Sequence, residues 1–317
     1  MKVIILNEAG SVDNLKYVDS PKPEIKEDEV LVKVASLSVN PVDYKVRAND
    51  AGLSMFFGSE RPVILGWDLS GTIEKIGSKV TNFKIGDEVF GMANFPGNGS
   101  AYAEYVAVPF SHLTLKPTSI SHQAAAAATL AALTAWQVLN GNVKQGDKVL
   151  IHAASGGVGH YATQIAKYLG AFVIGTSSTK NRDFVLQNGA DKHIDYTQED
   201  FEKVVSDVDV VLDTLNSDII DKSINITRTG GKIITITSNN IPQEILDKAK
   251  SKGIDLSFVL VKSSGKDMSI IADLLDKGTL KSHVSKSFSF GEMSKAHLQL
   301  ETGRTVGKVV VNLEQIH

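Results

Sequence analysis

The sequence predicts an α/β protein in two parts, one rich in β-strands and one built on a doubly wound parallel sheet. Short apolar runs alternate with turn residues up to about residue 121. From about residue 146 to 262, continuous β-branched runs alternate with helical segments, as expected of a parallel sheet buried on both faces. The length of 317 residues also suits two domains of about 150 residues each.

The β-rich part begins with an apolar strand in the first eight residues. Seven of the eight prolines lie before residue 120, which fits strands joined by turns. The predicted strands after the first are Glu29–Val34, Ser70–Gly77 and Gly86–Gly91.

The second part begins near residue 122 with an alanine-rich segment, Gln123–Thr134, of high helix propensity. A helix is also predicted over residues 158–169, and another near the end of the chain over Ser269–Lys277. The predicted strands of this part and of the C-terminal segment are Val149–Ala153, Phe172–Thr176, Val208–Asp213, Lys232–Ile236 and Gly307–Val311.

Composition excludes several classes of function. The 33 Lys and Arg residues against 36 Asp and Glu leave a net charge of −3, so no basic surface is expected for nucleic acid or an anionic membrane. The absence of Cys excludes disulfides, thiolate catalysis and Cys-based zinc sites, and it is consistent with a cytoplasmic protein. We see neither a signal peptide nor an apolar run of about 20 residues that could span a membrane. The expected partner is a small molecule.

The strongest local signal is a small-residue turn between a strand and a helix. The strand Val149–Ala153 enters the turn and the helix His160–Leu169 leaves it. Against the G-x-G-x-x-G pattern, Ala154 takes the first position, Gly156 the second and Gly159 the third. Such a turn lets the backbone and the helix N-terminus approach a pyrophosphate, which predicts a dinucleotide site. The alternative is a glycine turn that only joins the two elements.

The end of the next strand favours NADP over NAD. NAD-binding folds place an acidic residue there, about 20 residues after the glycine turn, to hold the ribose 2′-hydroxyl. The segment Ile174–Arg182 contains no carboxylate, but it has hydroxyls and two cations, Lys180 and Arg182. These groups would attract a 2′-phosphate, so we expect NADPH as the cofactor. The alternative is that both cations are solvated helix charges.

With this turn in its second half, the chain resembles the medium-chain dehydrogenase/reductase superfamily. More narrowly, it is similar to the zinc-free quinone oxidoreductase branch, the zeta-crystallin-like proteins. The resemblance covers essentially the whole chain. It rests on five motifs in order, Val39–Asp43, Leu65–Gly71, Ala131–Trp136, Ala153–Gly159 and Gly303–Val311.

The resemblance implies the domain organisation. A GroES-like domain, a distorted antiparallel β-barrel, would comprise residues 1–121 and 263–317. A Rossmann NADP-binding domain, a doubly wound parallel sheet, would be inserted as residues 122–262. By analogy we expect a homodimer. Residues 255–262 could be the edge strand that pairs across it, or an ordinary internal edge strand.

The resemblance also implies that the chain holds no metal. In the zinc alcohol dehydrogenases of the superfamily, the catalytic metal is held by a Cys, a His and a second Cys. The matching positions here are Asn40, Trp67 and Leu130, none of which is a usual zinc ligand. Without a Lewis acid to stabilise an alkoxide, alcohol oxidation is not expected.

Cofactor-binding residues carry over from the resemblance position by position. They would contact the nicotinamide, the pyrophosphate, the adenine or ribose, or the 2′-phosphate. They are Thr134, Ser155, Gly156, Gly157, Val158, Ser177, Lys180, Tyr196, Asn216, Thr237, Ser238 and Arg304.

The leading functional hypothesis is NADPH-dependent, zinc-independent reduction of a quinone or similar conjugated carbonyl. Asn40 is expected to donate a hydrogen bond to the substrate carbonyl, and Tyr44 and Trp67 to form an aromatic wall. Many relatives carry a Tyr eleven residues after the motif Asn, where this chain has Ala51, so Tyr44 is the nearest candidate for a catalytic hydroxyl. The alternatives are an NADPH-dependent enal or enone reductase, and a low-turnover protein that binds NADPH or RNA.

Overall fold

The computed structural model describes residues 1–237 and 239–313. The chain divides into two compact units, residues 1–133 with 261–317, and residues 134–260. Its strands are β1 (Lys2–Leu6), β2 (Leu15–Asp19), β3 (Glu29–Val39), β4 (Val63–Ile64), β5 (Asp68–Ile76), β6 (Glu88–Met92), β7 (Tyr105–Pro109), β8 (Leu113–Leu115), β9 (Lys148–Ile151), β10 (Phe172–Ser177), β11 (Lys192–Asp195), β12 (Val208–Asp213), β13 (Thr227–Thr235), β14 (Asp255–Phe258), β15 (Val284–Ser289) and β16 (Lys308–Asn312).

The helices lie between these strands in both units. They are α1 (Pro41–Ala48), α2 (Asp50–Phe57), α3 (His122–Ala127), α4 (Leu130–Leu139), α5 (Gly157–Tyr168), α6 (Arg182–Gln187), α7 (Phe201–Val204), α8 (Ser217–Ile226), α9 (Gln243–Ser251), α10 (Gly265–Asp276) and α11 (Met293–Glu301). None of the helices in the described ranges is long and apolar enough to cross a membrane.

The first unit is built around the long strand β3, which pairs antiparallel with β5, β7 and β16. The larger sheet has the order β15-β16-β3-β5-β6-β8, with β7 also on β3, and a small sheet has the order β2-β1-β4. Its core includes the fully buried Leu31, Leu37, Leu69 and Phe90. This mostly antiparallel unit confirms the predicted GroES-like fold.

Helices α1 and α2 interrupt the predicted run of strands in the first unit. Asn40 precedes α1 with extended backbone, Pro41 takes the first helical position, and the Asp43 carboxylate accepts the Asn40 N–H at 2.6 Å. An Asn-Pro pair followed by an acidic residue is a helix start signal. The sequence therefore carried a signal for this helix, which interrupts the strands expected up to about residue 121.

The second unit is a six-stranded sheet of order β11-β10-β9-β12-β13-β14. Every pairing in it is parallel. From β9 the chain winds outward to β11 and then returns to β12 on the other side of β9, which creates a topological switch point there. This order confirms the predicted Rossmann fold, and such sheets bind ligands at the carboxyl ends of their strands.

The alanine-rich segment near residue 122 forms two helices rather than the one predicted. Helix α3 ends at Ala127 and α4 begins at Leu130. Helix α3 packs on β3, β5 and β16, and the Ser282 hydroxyl donates to the Ala124 carbonyl at 2.7 Å. The units therefore divide at residues 133/134 and 260/261, whereas the predicted limits are 121/122 and 262/263.

Candidate functional site

The turn after β9 brings backbone N–H groups to the carboxyl end of the sheet. Gly156 precedes α5 with extended backbone and contributes no capping side chain, and its own N–H donates to the Ala153 carbonyl at 2.8 Å. The first-turn N–H groups of a helix lack acceptors within the helix. With the helix dipole, those of Gly157 and Val158 suit an anion such as a pyrophosphate.

Close packing at this turn requires glycine at position 159. A Cβ on Gly159 would lie 2.1 Å from the Ala153 carbonyl oxygen and 2.8 Å from the Ala154 Cα. Ala153 itself has a φ of +49°, an uncommon value for a residue with a side chain. Helix α5 therefore starts directly against the end of β9, and the residues of the turn fit the phosphates of a dinucleotide.

The end of β10 supplies hydroxyls and cations beside this turn. Ser177 is almost fully buried, and its hydroxyl lies 2.8 Å from His193 Nε2 and donates to the Ser178 carbonyl at 3.2 Å. Lys180 is exposed, and Arg182 is exposed beside Asp183, 3.3 Å away. Both predicted cations are accessible to an anion.

Two residues that contact the hydroxyls near the end of β10 and in the glycine turn, Asn181 and Asp195, are not among the predicted cofactor-binding residues. The Asn181 amide donates to the Ser155 hydroxyl at 3.1 Å, which ties the segment after β10 to the glycine turn. The Thr179 hydroxyl donates to the Asp195 carboxylate. Hydrogen bonds from Thr179 and Thr197 hold the pKa of Asp195 below its usual range, so this carboxylate is ionised. Asp195 ends the next strand, β11, so it lies outside the segment Ile174–Arg182, which contains no carboxylate.

Three other predicted residues follow the carboxyl ends of β11, β12 and β13. Tyr196 is 64% exposed, Asn216 is exposed and caps α8, and Thr237 is half-buried with its hydroxyl 3.1 Å from that of Thr235. Parallel strands end at one edge of the sheet, so these residues share that edge with the glycine turn.

Three further predicted residues lie elsewhere or are not described. Thr134 lies on α4 and is buried. Ser238 lies outside the described residues. Arg304 is exposed in the first unit, between α11 and β16.

Trp67 lies in the core of the first unit. Its side chain has no exposed surface, its ring centroid lies 5.2 Å from that of Phe56 and 5.3 Å from that of Phe95, and its Nε1 donates to the Gly97 carbonyl at 2.6 Å. The expected place of the indole in the wall of the substrate site stays a prediction. The wide aromatic surface packs against other rings.

Asn40 belongs to a buried polar cluster rather than to an open surface. Its amide nitrogen donates to the Asp68 carboxylate at 2.7 Å, and its amide oxygen accepts from the Lys308 ammonium. Asn40 is only 1% exposed, so its predicted hydrogen bond to a substrate carbonyl competes with these two contacts. Tyr44, the other predicted catalytic residue, is half-buried.

The ion pair of Asp68 and Lys308 is the centre of this cluster. The two charged atoms are 3.8 Å apart, and neither side chain is more than 4% exposed. Asp68 also accepts the Leu130 N–H at 2.9 Å. Burial raises the pKa of Asp68 and lowers that of Lys308, while each charge opposes the shift of the other. In the sequence, Lys308 stands at the start of a Val-rich strand, and it lies far along the chain from Asp68.

A second set of buried polar groups adjoins the first. Burial raises the pKa of Asp43 to about 7, and it lowers the pKa of His297 to about 3. The Tyr102 hydroxyl lies 2.9 Å from His297 Nε2, and Arg47 pairs with Glu301. All of these side chains belong to the first unit.

The comparisons with known proteins agree with this architecture. Residues 26–118 match the alcohol dehydrogenase GroES-like domain, and residues 188–311 match the family described as zinc-binding dehydrogenase. The chain is 34% identical to the 2-methylene-furan-3-one reductase of Solanum lycopersicum, over 98% of this chain and 79% of that protein. It is also 34% identical, with the same coverage, to the NADPH-dependent alkenal/one oxidoreductase, chloroplastic, of Arabidopsis thaliana.

The chain belongs to the medium-chain dehydrogenase/reductase superfamily. Among solved structures, it is similar to the quinone oxidoreductase from Coxiella burnetii, with a TM-score of 0.92, 36% identity and 99% coverage of both chains. The predicted assignment to the zinc-free quinone oxidoreductase branch of the superfamily is thereby confirmed.

The donor set of this dehydrogenase/reductase differs from a zinc site. The positions of the usual ligands hold the amide of Asn40, the buried indole of Trp67 and the buried side chain of Leu130. Within residues 1–237 and 239–313, no group of three or more His, Asp or Glu side chains could hold a metal ion. The amide of Asn40 is occupied by Asp68 and Lys308.

Replacing Lys308 by Met is expected to destabilise this dehydrogenase/reductase, because it leaves the Asp68 carboxylate buried without its ammonium. We expect a loss of about 3–5 kcal/mol in the free energy of unfolding, measured by urea denaturation. The double variant Lys308→Met, Asp68→Asn should recover at least half of that loss. Lys295→Met, which removes an exposed pair with Glu292, is the control. A Lys308→Met variant as stable as this control would show that the buried Asp68 carboxylate does not depend on the Lys308 ammonium.

Proposed function

We propose that the chain is an NADPH-dependent, zinc-independent reductase that transfers a hydride to a quinone or a similar conjugated carbonyl. The observation that carries the proposal is the joint presence of the glycine turn and the hydroxyl- and cation-bearing end of β10 at one edge of the parallel sheet. The name of the Arabidopsis relative, an NADPH-dependent oxidoreductase, supports the same cofactor.

The proposed role of the chain in cofactor binding follows from its polar groups. The N–H groups of Gly157 and Val158 would bind the pyrophosphate, and Ser177, Lys180 and Tyr196 would bind the 2′-phosphate. Asp195 is a negative charge near this position, but Thr179 and Thr197 donate to it and offset part of its field. When bound, NADPH supplies the hydride.

The remaining cofactor contacts are assigned by position. We propose that Thr134 approaches the nicotinamide carboxamide, Thr237 lies beside the ring, and Asn216 lies along the adenosine half. Because Asn216 already accepts the Ile219 N–H as a helix cap, its amide nitrogen is the group left for a ligand.

The substrate class follows from the acid catalysis that the chain offers. A quinone is electrophilic, and the aromatic ring of its product stabilises the oxyanion, so its reduction needs little help from a proton donor. The Asn40 amide already contacts Asp68 and Lys308, so Tyr44 is the remaining candidate for the proton donor. Burial, and then the Glu301 carboxylate, raise the pKa of Tyr44, so its phenol stays protonated and can donate.

Reduction of an activated C=C bond is the second candidate function. It is favoured by the names of the two plant relatives, an alkenal/one oxidoreductase and a 2-methylene-furan-3-one reductase. This reaction uses the same hydride but must also protonate the α-carbon, and the chain has Ala51 where many relatives carry a Tyr.

The assembly and the location are proposed from the same sequence. We propose a homodimer that pairs through β14, which lies at the edge of the six-stranded sheet. We also propose a cytoplasmic protein, because a chain without Cys forms no disulfides and is consistent with a reducing compartment. The GroES-like domain limits of 1–121 and 263–317 stay predictions.

Titration of NADPH and NADH by cofactor fluorescence tests the proposed cofactor. We expect NADPH to bind at least about tenfold more tightly, a difference of about 1.4 kcal/mol. Lys180→Ala should shrink this ratio because it removes a cation from the 2′-phosphate. Lys250→Ala, at an exposed position of α9 in the same unit, should leave it unchanged. Equal affinities for the two cofactors in the unaltered chain would refute the proposal.

Steady-state assays with NADPH distinguish the two substrate classes. We expect kcat/KM to be higher for 1,4-benzoquinone than for a 2-alkenal, because the quinone needs less proton donation. Tyr44→Phe should lower turnover of the alkenal more than that of the quinone. A clear preference for the alkenal would instead assign the chain to the second candidate function.

A further inference from the structure

We propose that His193 is a positioning residue for cofactor specificity, which orients the Ser177 hydroxyl toward the 2′-phosphate of NADPH. The inference rests on the proposed function, because Ser177 is there a phosphate contact. His193 was not among the predicted site residues, and it lies on a different strand from Ser177.

The register of the sheet brings the two side chains together. On the parallel strands β10 and β11, Gly175 pairs with His193 and Ser177 pairs with Asp195. Residues two apart on a strand share a face, so Ser177 and His193 lie on the same side of the sheet. From its position beside Gly175, the imidazole reaches Ser177, with Nε2 2.8 Å from the hydroxyl oxygen.

The hydrogen-bond capacity of a serine hydroxyl determines what this contact can do. A hydroxyl has one proton to donate and two lone pairs that accept. If the imidazole donates Nε2–H to Ser177, the only proton of that hydroxyl remains available for another acceptor. Its present acceptor is the Ser178 carbonyl, at the long distance of 3.2 Å. A phosphate oxygen, which only accepts, would be a stronger partner for the same proton.

The imidazole can perform this role in its neutral form. Burial is the main cause that lowers the pKa of His193, and the Arg182 guanidinium lowers it further, while the Asp195 and Glu199 carboxylates raise it. At pH 8 the ring is therefore neutral, and a 2′-phosphate carries two charges. His193 then acts through Ser177 as a neutral donor and adds no charge to the site.

The test compares cofactor affinities of the full-length chain at pH 8 by fluorescence titration. His193→Phe keeps a flat ring but removes the donor, and we expect it to weaken NADPH binding about fivefold. NADH, which lacks the 2′-phosphate, should bind within about twofold of its original affinity. His193→Gln, whose amide keeps an N–H donor, should restore part of the NADPH affinity.

A Ser177→Ala background shows whether His193 acts through the serine. There, His193→Phe should have no further effect on NADPH binding, because the hydroxyl that it orients is gone. A full fivefold loss in that background, or equal losses for NADPH and NADH, would overturn the inference while leaving the proposed cofactor in place. An unaltered chain that binds both cofactors equally would overturn the proposed function, and this inference with it.

Discussion

The architecture of the second unit depends on a contact that has no room for a side chain, that of Gly159 with the end of β9. Any Cβ at Gly159 would overlap the Ala153 carbonyl oxygen, so only glycine lets α5 begin directly behind the strand. This close approach directs the first N–H groups of α5 toward the edge where the parallel strands end. The polar ends of β10 to β13 can form one site because they share that edge.

The first unit is organised by a different constraint, a buried charge pair that must stay satisfied. Lys308 and Asp68 are both inside the unit, and Asn40 bridges them with both ends of its amide. An unpaired charge at such depth would cost several kcal/mol, so the three side chains depend on one another. The position that matches a zinc ligand of the zinc alcohol dehydrogenases is here an amide that contacts both charges. Here Asn40 connects β3, β5 and β16.

Sequence patterns predicted the fold more completely than the site. Periodicity and the glycine turn were sufficient for the parallel sheet of the second unit, because both are local signals. The GroES-like fold of the first unit was instead predicted from the resemblance of motifs along the whole chain. The environment of single side chains is not local, however. The core position of Trp67 follows from three-dimensional packing. The contacts of His193 and Asp195 with the end of β10 follow from strand register, since they lie 16 residues from their partners along the chain.

We propose that the edge formed by the glycine turn and the end of β10 binds a nucleotide through its 2′-phosphate. Isothermal titration calorimetry of the unaltered chain with 2′,5′-ADP and with 5′-AMP tests it most directly, because the two ligands differ only in that phosphate. We expect 2′,5′-ADP to bind at least about tenfold more tightly than 5′-AMP, and this ratio to fall as ionic strength rises. Equal affinities for the two ligands would contradict it.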